Sequence, residues 1–194
     1  MATATHATEA GSSNWINRIS FSCIRLMHDN FLIRRFRNPH KILQSMGVKA
    51  RDRVLEIGCG PGFFTIPTAQ IVGPQGEIAA IDVNPFAINY TQRKVDRHGI
   101  TNARVLHANA ADTDLPAHSF DFAFFIGVPH ITGGLGPVAD ELRRVLKPGG
   151  RIAFHYGRRS PESLVAQMRE QHFALVETRG RVGVFAPIAA PVSA

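Results

Sequence analysis

Three groups of residues in this chain have the types and spacing to do chemistry. The first is Val54-Leu55-Glu56-Ile57-Gly58-Cys59-Gly60-Pro61-Gly62-Phe63-Phe64-Thr65, a β-rich apolar run that enters a glycine triplet ahead of a helical pattern. Glycines let a backbone turn sharply and let a ligand lie against bare main chain. The helix that follows presents free N–H groups and the positive end of its dipole to an anionic group. The second is Asp82, at the end of an apolar run and twenty residues beyond Gly62. A carboxylate there can accept hydrogen bonds from both hydroxyls of a ribose, or it can cap the next helix. The third is the polar stretch His107–Asp121, where Asn109, Asp112 or Asp114 could accept from an adenine amino group or simply face water.

The glycine spacing narrows the ligand. A dinucleotide fingerprint has glycine at its first, third and sixth positions, and the sixth position counted from Gly58 is Phe63. No Gly-Lys-Ser/Thr follows, so a P-loop is excluded as well. What remains is G-x-G-x-G preceded by Glu56, a pattern that a plain structural turn would also satisfy.

The elements that must position these residues alternate in type. Short apolar runs at Val54–Ile57, Glu77–Ile81, Ala103–His107, Phe120–Ile126 and Ile152–Tyr156 read as strands. Helical patterns occupy Phe64–Val72, with Pro67 in its first turn, and the stretch from Asn84-Pro85 to Gly99. Further helical patterns lie at Val138–Leu146, stopped by Pro148-Gly149-Gly150, and after Ser160-Pro161. Phe173–Thr178 and Arg181–Phe185 flank Gly180 as an antiparallel pair. Strands alternating with helices predict an α/β, doubly wound, mostly parallel sheet covered on both faces. The binding site then lies at the carboxyl end of the first strand. Asn38-Pro39 starts a short helix over Pro39–Met46, ended by Gly47.

Composition bounds the rest. The 194 residues, 44% of them hydrophobic, can build a sizeable core, and no run of about 18 apolar residues predicts a membrane span. Cys23 and Cys59 are too few for a disulfide framework or a Cys-rich zinc site, so no metal is expected and a cytoplasmic, reducing location is. The formal charge of +7 is concentrated near the start, where residues 1–50 hold seven Lys/Arg against two acidic residues. Residues 1–14 read as a disordered tail. Residues 15–47 form a basic, helical extension whose Trp15–Phe36 stripe is amphipathic. Such a helix could pack over the site, touch a membrane surface, or meet nucleic acid, for which no binding module is appended.

Taken as a set, VLEIGCGPG, IDVNP, LPAHSFDFAFFIGVPH and LRRVLKPGGRIAF resemble the successive motifs of class I S-adenosylmethionine-dependent methyltransferases, in order and spacing, over residues 48–187. The resemblance implies a Rossmann-like domain over 48–194, with a seven-stranded sheet and one antiparallel strand. It implies that Glu56, Gly58, Cys59, Gly60 and Gly62 surround the cofactor's methionine part, that Asp82 binds its ribose, and that Val83 packs on its adenine. Ile126 and Gly127 match the segment between cofactor and acceptor, and His130 a histidine placed near the acceptor. The family's acidic pair before Leu-Pro is shifted here, so the adenine contact falls to Asn109 or Asp112. Tyr156, and more weakly Tyr90, are further catalytic candidates. Methyl transfer from a sulfonium needs mainly alignment and exclusion of water, with a base only for a protonated acceptor. The expected acceptor is a small molecule or a lipid- or quinone-like compound. The alternatives are a non-catalytic binder of the same cofactor and an RNA methyltransferase.

Overall fold

The computed structural model describes residues 38–126, 134–155 and 160–188. The expected Trp15–Phe36 helix and the 1–14 tail lie outside them. Helix α1 (Pro39–Met46) starts where the sequence indicates: Asn38 Oδ1 accepts from the N–H groups of His40 and Lys41, and Gly47 ends the helix at φ +106°. A cap of this kind stabilises a helix by about 1 kcal/mol. Then follow β1 (Arg53–Ile57), α2 (Thr65–Val72), β2 (Glu77–Asp82), α3 (Pro85–Arg97), β3 (Ala103–His107) and β4 (Phe120–Phe125). The chain continues through α4 (Leu135–Val145), β5 (Leu146–His155), α5 (Pro161–Glu170), β6 (Phe173–Arg179) and β7 (Val182–Pro187). The caps of α3 and α5 are also those the sequence indicates, Asn84 and Ser160.

The strands form one seven-stranded sheet in the order β3-β2-β1-β4-β5-β7-β6. β7 runs antiparallel to β5 and β6, while β1, β2, β3, β4 and β5 are mutually parallel. The sheet is therefore the mostly parallel one implied by the resemblance. Its order reverses at β1, with β2 on one side and β4 on the other. Such a switch point opens a crevice at the strands' carboxyl ends.

Alternation along each strand sorts the core into two faces. Leu55, Ile57, Ala79, Ile81, Ala123, Phe125, Ile152 and Phe154 meet Val138, Leu142 and Val145 of α4 and Leu164 and Met168 of α5. On the other face Val54, Phe122, Phe124, Ala153, Val182 and Val184 meet Leu43 and Met46 of α1, Phe64 just before α2, and Val72 of α2. Towards the β2–β3 side of that face, Ile78 and Ala80 pack with Cys59, Ala69 and Ile88.

Two boundaries differ from the sequence reading. α4 begins at Leu135, three residues before Val138, because Pro137 falls in its first turn, where a missing N–H costs nothing. β5 begins at Leu146 rather than Ile152. Phe120 pairs with Leu146 but Phe122 pairs with Arg151, so Lys147–Gly150 bulge out opposite Asp121. Pro148-Gly149-Gly150 does end the helix, and it also supplies this bulge, with Gly149 at φ +81°.

The turn into β2 is tight. A Cβ added at Gly76 would lie 2.6 Å from Val72 Cβ and 2.7 Å from the carbonyl of Asp52. Gly76→Ala is expected to lower unfolding stability by about 1–3 kcal/mol, the usual range for overpacking; urea denaturation monitored by circular dichroism reads this directly.

Candidate functional site

The loop leaving β1 is fastened to the neighbouring strand at once. The N–H groups of Gly58 and Cys59 both donate to the carbonyl of Ile81, at 2.9 and 3.0 Å. Gly60 N–H donates to Asp82 Oδ2 at 2.9 Å. Gly62 N–H folds back onto Cys59 O at 2.9 Å, and Pro61 has no N–H. Every amide of the 58–62 loop is thus engaged within the protein, and the expectation of donors for an anion falls on the start of α2 alone. A pyrophosphate cradle built on loop amides would need them free.

Gly58, Gly60 and Gly62 sit at φ +75°, +50° and +69°, where a side chain is strained. At Gly62 a Cβ would also come within 2.9 Å of Thr91 Cγ2, whereas at Gly60 it would meet nothing within 4 Å. One side of the main chain at Gly60 is therefore open. The loop carbonyls are held from α3: Thr91 Oγ1 donates to Gly60 O at 2.8 Å and Lys94 Nζ to Pro61 O at 2.9 Å. Residues three apart on a helix share a face, so one turn of α3 grips two successive peptides.

Beneath the loop Glu56 is fully buried and accepts from Thr65 Oγ1 at 2.6 Å. Burial pushes its carboxyl up to about 8; the nearby Asp82 charge adds to the rise, and the Thr65 hydroxyl and Lys94 oppose it. At neutral pH it is mostly a neutral acid. Burial also pushes the Cys59 thiol well up, with Glu56 and Asp82 adding to it, so Cys59 is a small filler and not a nucleophile.

Asp82 Oδ1 accepts from Asn84 N–H at 2.9 Å while Oδ2 holds Gly60. Each carboxylate oxygen retains acceptor capacity. Val83, next in the chain, is 55% exposed, and its carbonyl meets His107 Nε2 at 2.9 Å. Just past the end of β3, beside Asp82, Asn109 Oδ1 accepts from Ala111 N–H within its own turn. Asp112 presents an exposed carboxylate. The same loop is anchored by Thr113, whose N–H and hydroxyl both donate to buried Glu141 of α4. Glu141 also accepts from Arg144 Nε and Nη2, at 2.7 Å each. The Arg144 guanidinium and the Thr113 donors hold Glu141 down to about 2.

The structure thus brings together Glu56, Gly58, Cys59, Gly60, Gly62 and Asp82, with Val83 beside them. Ile126 follows β4, on the other side of β1, and is partly buried. Tyr90 lies half-buried on α3, with Lys94 Nζ 5.8 Å from its ring centroid. Gly127, His130 and Tyr156 lie outside the described residues. Sequence reasoning missed Thr65, Thr91, Lys94, His107 and Glu141. For two of these the signal is a polar residue within a buried helical stripe: Thr91 between Ala87 and Val95, and Glu141 among Val138, Leu142 and Val145.

Residues 48–182 match a family model described as a methyltransferase domain. A demethylmenaquinone methyltransferase of Bacillus velezensis is 34% identical over 113 residues, covering 58% of this chain and 48% of that protein. A ubiquinone/menaquinone biosynthesis C-methyltransferase of Marinomonas is 31% identical over 153 residues, covering 77% of this chain and 60% of that protein. The chain spans about half the length of the first of these relatives. Among solved structures, a SAM dependent methyltransferase from Aquifex aeolicus superposes with a TM-score of 0.71 at 25% identity, covering 85% of this chain and 96% of that one.

The raised Glu56 carboxyl has a pH signature. Its folded form holds a proton that the unfolded chain releases near 4.5, so stability is fully present below that pH and declines as pH rises to about 8. The contribution to the slope is at most about 1.4 kcal/mol per pH unit. Glu56→Gln is expected to flatten this decline in denaturant-unfolding free energies measured from pH 5 to 9.

Proposed function

The chain belongs to the methyltransferase-domain family, and from that premise we propose that it transfers the methyl group of S-adenosylmethionine to a small, quinone-like acceptor. The observation that carries the cofactor assignment is the joined end of β1 and β2. There an open glycine face at Gly60, a carboxylate with spare lone pairs at Asp82 and an exposed Val83 stand in sequence along one edge. These residues fit a nucleoside attached to an amino acid. The open main chain at Gly60 takes the methionine part, Asp82 takes the ribose hydroxyls, and Val83 covers the adenine. Asp112, whose exposed carboxylate offers two acceptor oxygens, is the better adenine acceptor; the Asn109 carbonyl already accepts from Ala111 N–H and keeps one lone pair.

S-adenosylmethionine supplies an electrophilic methyl on a sulfonium, whose bonding pair stays with sulfur as the methyl moves to a nucleophile. The protein's part is alignment and exclusion of water. A loop whose amides and carbonyls are tied to β2 and α3 holds a ligand without reorganising at the moment of transfer. Ile126 and Gly127 match the family's segment between cofactor and acceptor, and His130 and Tyr156 are the candidates for moving a proton to or from the acceptor. The quinone-like acceptor is supported by the two quinone-pathway relatives. Contact of Trp15–Phe36 with a membrane would bring the site to a lipid-soluble ring. No helix among the described residues is long and apolar enough to cross a membrane.

The test is transfer of radiolabelled methyl from S-adenosylmethionine into a cell extract, separated afterwards into organic, small-molecule, RNA and protein fractions. Label is expected in the organic fraction. Asp82→Ala is expected to lose about tenfold or more in S-adenosylhomocysteine affinity, as for hydrogen bonds to a charged group. Parent-like binding by that variant overturns the assigned site. Label confined to RNA overturns the acceptor, and binding without any transfer points to a non-catalytic protein.

A further inference from the structure

β2 and β3 run side by side to the carboxyl edge of the sheet, where Asp82 and His107 are register partners. The pairing ends with Ala108 N–H on Asp82 O at 3.2 Å. Beyond it the chain turns through Val83 and Asn84 into α3. Two acceptors of that turn are satisfied locally, Asp82 Oδ1 by Asn84 N–H and Asn84 Oδ1 by Phe86 N–H. The Val83 carbonyl belongs to neither ladder nor helix, and a polar main-chain group in that position needs a partner. Its partner is His107 Nε2 at 2.9 Å. A carbonyl carries no proton, so Nε2 bears the hydrogen and donates it. Holding this carbonyl fixes the peptide between Val83 and Asn84, and with it the direction in which the Val83 side chain stands.

The geometry points to His107 as a positioning residue for the purine: it acts through Val83 and sets affinity for the adenosyl half of the ligand. This rests on the assignment of the site to S-adenosylmethionine made above. His107 is exposed, so its replacement leaves the core intact. Leucine fills similar space without a donor, whereas the amide of glutamine still donates.

Calorimetric titration of the full chain with S-adenosylhomocysteine tests the role. His107→Leu is expected to weaken binding about three- to tenfold, the range for one neutral hydrogen bond. His107→Gln is expected to recover most of that loss. In a Val83→Ala background His107→Leu is expected to cost less than about twofold, because a residue acting through another is non-additive with it. His107→Ala is a second way to delete the donor, with urea midpoints reporting that each variant is folded. Parent-like binding by both donor-deleted variants, or full additivity with Val83→Ala, overturns the role. Failure of the unaltered chain to bind is the separate failure of the site assignment, and it removes the role with it.

Discussion

Two consecutive acceptors at the end of β2, the carbonyl of Ile81 and the carboxylate of Asp82, take three amides of the loop that leaves β1. The rest of the site depends on that junction. It brings two strand ends to one level, and it lets the chain turn into α2 with no loop amide left over. From the opposite side Thr91 and Lys94 take the carbonyls of the same loop. The loop is therefore gripped through both polar ends of its peptides, by a strand on one side and a helix on the other. Glycine is required because the grip sets positive φ at three positions and leaves Gly62 no room beside Thr91.

The electrostatics follow from the same packing. Glu56 lies directly beneath the loop, with water excluded, and a second full negative charge so near Asp82 would be costly. Protonation of Glu56 resolves this at neutral pH, and the Lys94 ammonium and the Thr65 hydroxyl oppose the rise. A rim with an acidic residue and no free loop amides is poorly made for phosphate. It suits the sulfonium- and ammonium-bearing ligand proposed above.

Most of the fold was legible because its signals are local. Asn38, Asn84 and Ser160 cap helices wherever a proline follows them, and strand alternation sorts residues between two faces without ambiguity. The glycine loop and Asp82 were legible as a candidate site because a glycine triplet between strand and helix, and a carboxylate closing the next strand, are both local patterns. What escaped was long-range. Thr91 meets Gly60 across thirty-one positions, and Glu141 meets Thr113 across twenty-eight; neither spacing has a periodicity that a single sequence displays. The start of β5 escaped for a different reason. Proline and glycines read as punctuation, and a bulge that contains them is invisible until β4 lies beside it.

The loop between β3 and β4 contains no helix of its own, and Glu141 of α4 supplies much of its fixity through two bonds to Thr113. The proposed adenine side of the site is thereby fastened to the helix that follows β4, the strand on the far side of β1. The solvent exchange of the Thr113 amide hydrogen is then governed by the opening of α4 and not by the loop's own length. Two flanks of the crevice that are distant in sequence share a single unit of local unfolding.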